Sequence, residues 1–224
     1  MNNEEMKGKK YDAVIFDLDG TLLNTLEDLK NSVNYALETF HMPVRTLEEI
    51  RHFVGNGVQR LIELAVPEGT GTEEREKIFE AFREHYCIHC NDKTGLYDGI
   101  PELLTELKKQ GFQMAIVSNK LQEGVDALSE RYFRNYTSVA IGAREGIRKK
   151  PAPDTVQEAL RRLGISRERA VYVGDSEVDI ATAANSGMDC ITVAWGFRTR
   201  QEQEAAGAVT FVEEPLQIIP MLYL

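Results

Sequence analysis

Hydrophobic positions along the chain change their rhythm twice. Tyr11 to Phe16 is short, apolar and β-branched, which predicts a strand ending at Asp17. Helical spacing then takes over: Leu26, Leu29, Val33 and Leu37 fall on one face, with Glu27 and Asp28 where a helix N-terminus favours acids. Further helices are expected over Thr46 to Val54, Val58 to Ala65 and Glu73 to His89, with corners at Pro43, Gly55, Gly57, Pro67 and Gly69. No strand is expected between Leu22 and Asn91, so this block reads as a helical insert, too long for a simple crossover. After Tyr97-Asp98-Gly99 helices and strands alternate. Helices are predicted over Pro101 to Gln110, Leu121 to Arg131, Asp154 to Leu163 and Ser176 to Asn185. Strands are predicted over Gln113 to Val117, Val139 to Ile141, Ala170 to Val173, Cys190 to Ala194 and Val209 to Val212. The expected fold is α/β, a parallel sheet with helices on both faces and a helical insert. The sheet domain would comprise residues 1–22 and 97–224, and the insert residues 23–96.

This topology turns polar residues at strand ends into candidates, because ligands of open α/β sheets bind outside the carboxyl ends of the strands. Four sets qualify: Asp17 with Asp19, Ser118 with Asn119, Lys150, and Gly174-Asp175 with Asp179. Residues two apart in an extended segment point the same way, so Asp17 and Asp19 would face one point with Leu18 turned aside. Close carboxylates repel unless a cation joins them or one holds a proton, and magnesium takes carboxylates and substrate phosphate together. Asp175 would add a third oxygen. One carboxylate could attack phosphorus while its partner moves the proton. Ser118, Asn119, Lys150 and backbone N–H groups near Gly20 are the donor types that a transferring phosphoryl group needs.

Charge sharpens the picture. The 224 residues carry a formal net charge of -10, which repels nucleic acid and obliges any phosphate site to bring its own positive charge. No run approaches the ~20 apolar residues of a membrane span, and the N-terminal stretch through Lys10 has charge without the apolar core of a signal peptide. The three cysteines are too few and odd for a disulfide framework. Cys87-Ile88-His89-Cys90 lacks a second ligand pair, so it reads as ordinary helix rather than a zinc site. His41, His52, His85 and His89 match no catalytic pattern. The expected location is cytoplasmic, and the expected assembly a monomer or weak homodimer with a small phosphorylated metabolite as its partner.

Phe16-Asp17-Leu18-Asp19-Gly20-Thr21-Leu22 resembles the first signature of the haloacid dehalogenase-like superfamily. Val117-Ser118-Asn119 resembles its second, Lys150-Pro151-Ala152-Pro153-Asp154 its third, and Gly174-Asp175-Ser176-Glu177-Val178-Asp179 its fourth. The resemblance implies a Rossmann-like core with Asp17 as nucleophile and Asp19 as general acid/base, and makes the insert, residues 23–96, a helical cap domain that closes over the substrate. It also implies magnesium held by Asp17, the Asp19 carbonyl and Asp175, with Asp179 orienting Lys150 or a metal-bound water. Asp19 points to phosphatases and phosphomutases, since the dehalogenases lack an acid there and the ion-pumping ATPases carry threonine. Gly174 and Asp179 favour phosphatases similar to phosphoglycolate phosphatase over mutases of the β-phosphoglucomutase type. Pyrophosphate and nucleotide monophosphates stand as alternative substrates. Phe53-Val54-Gly55-Asn56-Gly57 and Trp195-Gly196-Phe197-Arg198 resemble phosphoglycolate phosphatase segments. The Gly55-Asn56-Gly57 turn either brings N–H groups toward a small anion or simply breaks a helix. Asn24 stands where relatives carry Asp, at the expected hinge.

Overall fold

A computed structural model describes residues 8–224; the first seven residues of the N-terminal stretch read above lie outside the described residues. In chain order the elements are β1 (Ala13–Phe16), β2 (Leu23–Asn24), α1 (Leu26–Thr39), α2 (Leu47–Phe53), α3 (Val58–Ala65), α4 (Thr72–His89) and β3 (Gly95–Leu96). There follow α5 (Ile100–Lys109), β4 (Gln113–Leu121), α6 (Gln122–Tyr132), β5 (Ala140–Ala143), α7 (Asp154–Leu163) and β6 (Ala170–Gly174). The chain closes with α8 (Glu177–Ser186), β7 (Asp189–Val193), α9 (Arg200–Ala205), β8 (Phe211–Val212) and α10 (Ile218–Met221).

Six strands form one sheet in the order β5-β4-β1-β6-β7-β8, every neighbouring pair parallel. The period-two alternation of a strand divides β1 between two cores. Val14 and Phe16 pack with Leu103 and Leu107 of α5 and Val125 and Leu128 of α6. Ala13 and Ile15 face Val156 and Leu160 of α7 and Ala183 of α8. A strand buried on both faces explains why β1 reads as a continuous apolar run.

Helices α1 to α4 bury a core of their own, built from the predicted stripe Leu29, Val33 and Leu37 with Ile50, Ile62, Ile78 and Phe82. A capping box between Thr46 and Glu49 starts α2 at the predicted place. The chain leaves the sheet at β2 and returns at β3, and these two strands pair antiparallel, Leu23 with Leu96 and Asn24 with Gly95. This corrects the expectation of no strand between Leu22 and Asn91: a two-residue pairing is too short to leave a hydrophobic pattern. Asn24 lies in this pair.

β4 continues four residues beyond the expected Val117, through Ser118, Asn119 and Lys120, with its pairing to β5 shifting register after Val117. Polar residues suggested an end there, yet all three are buried and Leu121 still pairs with Ala143. β8 begins at Phe211 rather than Val209, whose side chain is exposed. Helices α9 and α10 were not anticipated, being too short for a periodic pattern. Cys87, Cys90 and Cys190 are free thiols. No helix among the described residues is long and apolar enough to cross a membrane.

Candidate functional site

The four polar sets meet at the carboxyl ends of β1, β4 and β6. Asp17, Asp19, Ser118, Asn119, Lys150 and Asp175 line one cavity, closed on the other side by Leu29, Val54, Val58 and Leu61 of the helical block. Its space is about 50 Å³.

Asp17 follows β1 directly and is anchored by its backbone N–H, which donates to the Val173 carbonyl at 2.9 Å. Its Oδ1 accepts from Lys150 Nζ at 2.6 Å. The same ammonium donates to Asp179 Oδ1 at 2.8 Å and to the Tyr172 hydroxyl at 3.1 Å, so its three hydrogens are all used. Ser176 caps α8, and its N–H and hydroxyl hold the other oxygen of Asp179 at 3.1 and 2.7 Å. Asp175 accepts from the Thr21 hydroxyl at 3.1 Å and from the Phe197 N–H at 2.7 Å.

Gly20 belongs to this packing. Its φ is +94°, and a Cβ there would fall 2.6 Å from an oxygen of Asp175. Glycine is therefore required both by the backbone and by the carboxylate.

Asp17, Asp175 and Asp179 bring carboxylate oxygens within 4.8 Å of one another. Burial, then repulsion from Asp179, pushes Asp17 well above the ordinary carboxylate value, against the pull of Lys150. Burial and Asp179 likewise push Asp175 up to about 7. Asp179 goes the other way: burial would raise it, but Lys150 outweighs burial and keeps it low. Two buried carboxylates short of positive charge, in an all-oxygen donor set, fit a hard divalent cation. The carboxylate of Asp19 is not part of this cluster.

Asp19 instead has its own counter-ion. Lys120 Nζ and the Thr25 hydroxyl each donate to its Oδ1 at 2.7 Å, and the Ser118 hydroxyl donates to Oδ2 at 3.2 Å. Burial would raise this carboxyl, yet the Lys120 ammonium and these hydrogen bonds hold it below its ordinary value. Asp17 and Asp19 thus line one cavity, as their spacing suggested, but each rests on a different lysine.

Asn119 has both amide hydrogens committed to backbone, donating to the carbonyls of Gly55 and Lys150 at 3.0 Å each. Its oxygen accepts from the Lys150 N–H at 2.8 Å. It holds the Lys150 segment against the helical block instead of offering its amide to the cavity. In the Gly55-Asn56-Gly57 turn it is the Gly55 carbonyl that meets Asn119, Gly57 lines the cavity, and Asn56 is exposed. Sequence reasoning missed Lys120, Thr21, Thr25 and Tyr172. Lys120 and Thr21 left a signal, by standing next to Ser118-Asn119 and to Gly20.

Residues 14–193 match the family described as haloacid dehalogenase-like hydrolase. The chain belongs to this family. It is 33% identical over 190 residues to phosphoglycolate phosphatase 1 of Pseudomonas aeruginosa, covering 82% of this chain and 70% of that one. It is 29% identical over 220 residues to the N-acetylmuramic acid 6-phosphate phosphatase of the same species, covering 97% of each. A crystal structure from Lactobacillus delbrueckii subsp. bulgaricus, provisionally assigned as a phosphoglycolate phosphatase, superposes with a TM-score of 0.91 at 37% identity, covering 96% of this chain and 99% of that one. This haloacid dehalogenase-like hydrolase is a phosphoric monoester hydrolase.

Proposed function

We propose that this hydrolase is a magnesium-dependent phosphatase of a small phosphate monoester, 2-phosphoglycolate foremost, acting through an aspartyl phosphate on Asp17. One observation carries the reading: Asp17 Oδ1 accepts from Lys150, while Oδ2 accepts no hydrogen bond from the described residues and the side chain lines the cavity. Oδ2 attacks phosphorus and the bond from phosphorus to the ester oxygen breaks. The proton carried in by the monoanionic ester passes through Asp19 to that leaving oxygen. As a carboxylate Asp19 then takes a proton from the water that attacks the aspartyl phosphate. Lys120, Thr25 and Ser118 hold it in the ionised form this second step needs. Lys150, which lines the cavity, lends its positive charge to the transferring group, whereas the Gly20 N–H is committed to the Leu23 carbonyl. Magnesium held by Asp17, Asp175 and the Asp19 carbonyl, with Asp179 behind them, would neutralise charge on the phosphoryl group.

Residues 23–96 act in this reading as the cap that excludes water and selects the ester. A cavity of about 50 Å³ holds only a few waters at roughly 10–15 Å³ each, which favours a short leaving group. The relatives named for phosphoglycolate point the same way. The relative named for a sugar phosphate makes a bulky ester the alternative outcome. Three free cysteines and a small metabolite suit the cytoplasm.

Phosphate release would be measured on 2-phosphoglycolate, N-acetylmuramic acid 6-phosphate, pyrophosphate, nucleotide monophosphates and β-glucose 1-phosphate, with magnesium or chelator. Magnesium-dependent release that disappears in folded Asp17→Asn is expected. Conversion of β-glucose 1-phosphate to its 6-phosphate would indicate a mutase. No release from any ester by folded, magnesium-loaded protein would sink the proposal.

A further inference from the structure

The segment between β7 and α9 touches the carboxylate cluster with its backbone and the helical block with its side chains. The Phe197 N–H holds Asp175 at 2.7 Å, while the carbonyl of the same residue accepts from Arg51 Nε of α2 at 2.7 Å. The Phe197 ring is packed into the core of α1 to α4. Arg198 returns the grip: its guanidinium donates to the carbonyls of Arg51 and Val54 at 2.8 and 2.7 Å. Glu177, at the start of α8, fixes that guanidinium from the other side at 2.7 and 3.1 Å. Two arginines thus clasp across the boundary in opposite directions, and the residue between them ends on Asp175.

There is no slack in this path. A Cβ at Gly196 would lie 2.2 Å from that of Asp175, so the segment rests directly against the carboxylate side chain. The N–H and carbonyl belong to the same residue, Phe197, so a shift at the Arg51 end reaches Asp175 within ~3.5 Å of chain.

We propose that Arg51 and Arg198 are positioning residues that, through the Phe197 backbone, couple the seating of the helical block to the orientation of Asp175. The proposal rests on the reading of Asp17, Asp175 and Asp179 as a cation site. An outer partner that orients a metal-binding carboxylate is typically worth about 10–100-fold in affinity. Coupling is also reciprocal: a block seated by the clasp favours the cation, and the cation favours the seated block. Neither arginine has to touch the cation or a substrate for this.

The chain's single tryptophan sits in this segment and supplies the readout. Trp195 Nε1 donates to the Thr21 carbonyl at 3.0 Å, and the Thr21 hydroxyl holds the other oxygen of Asp175. Magnesium would be titrated into substrate-free protein, followed by Trp195 emission and by calorimetry, for wild type, Arg51→Met, Arg198→Lys and the double variant. Arg51 is the cleaner probe because it is partly exposed and touches no phosphoryl-handling residue, so Arg51→Met should keep its far-UV circular dichroism. The expected result is about tenfold weaker magnesium binding in Arg51→Met and in Arg198→Lys. The double variant should be about as weak as the weaker single, since both act through one path. Binding within about twofold of wild type in folded Arg51→Met and Arg198→Lys, or fully multiplying effects, overturns the proposal. So does a wild type that binds no magnesium. A wild type that shows the expected binding pattern but hydrolyses no ester would leave the coupling standing and sink the phosphatase reading alone.

Discussion

Lys150→Met tests the charge balance on which the site is built. The ammonium is almost fully buried and lies 2.6 Å from Asp17 and 2.8 Å from Asp179, with Asp175 in the same cluster. At an effective dielectric of ~20, like charges 4.8 Å apart repel by about 3–4 kcal/mol, and an opposite pair at 2.7 Å attracts by about 6 kcal/mol. The variant keeps the repulsions and loses the attractions. Breaking a buried pair from one side typically costs about 3–5 kcal/mol after relaxation and proton uptake. For a chain of 224 residues, at about 2–4 °C per kcal/mol, melting should fall by roughly 6–20 °C. The assay is thermal melting by circular dichroism at pH 8, with chelator and with magnesium. Magnesium should raise the variant's melting temperature more than the wild type's, because the cation then supplies the only positive charge in the cluster. A variant melting within about 2 °C of wild type in chelator would refute the reasoning. A smaller magnesium effect in the variant would refute it too.

Two other expectations follow from the same geometry. Lys120→Met removes the counter-ion of Asp19, and kcat should fall at least about tenfold in steady-state phosphate release, as proton transfer by a positioned group is worth about 10²–10⁴; a kcat within twofold of wild type would show that Asp19 needs no such support. Burial, then the neighbouring His89, holds His85 below its ordinary value of 6.5, so the neutral ring is favoured in the folded state and this stability is lost as pH falls below 6.5; an NMR titration placing the His85 midpoint at or above 6.5 would contradict it.

The sheet and the meeting of the four polar sets were legible because strand ends in a parallel sheet share one side, whatever the side chains do afterwards. Asp17, Lys150 and Asp175 needed no more than that. The pairing of carboxylates with cations was not legible. Asp19 and Asp17 are two residues apart, yet one rests on Lys120 and the other on Lys150, and sequence spacing does not say which ammonium reaches which acid. Asn119 has the donor chemistry for phosphate, but the backbone carbonyls of Gly55 and Lys150 claim both its hydrogens. Asp179, expected behind the metal site, lies within 4.8 Å of the Asp17 and Asp175 oxygens while Lys150, Tyr172 and Ser176 hold its own, partners that spacing does not name. The clasp of Arg51 and Arg198 joins residues 147 apart through backbone carbonyls, which leave no mark in composition or periodicity.

The pairing of β2 with β3 has a consequence for how such a molecule can change. Exit and return of the intervening chain lie side by side, Asn24 opposite Gly95, so the sheet meets everything between them as the tip of a hairpin. A lineage could exchange, enlarge or pare down that tip without rewiring a single strand crossing. The acids and lysines at the strand ends would keep their places while the enclosure above them was rebuilt for another ester. Arg198 and Asn119 are the fixtures such a replacement would have to meet, because they are where the permanent half grips the exchangeable one.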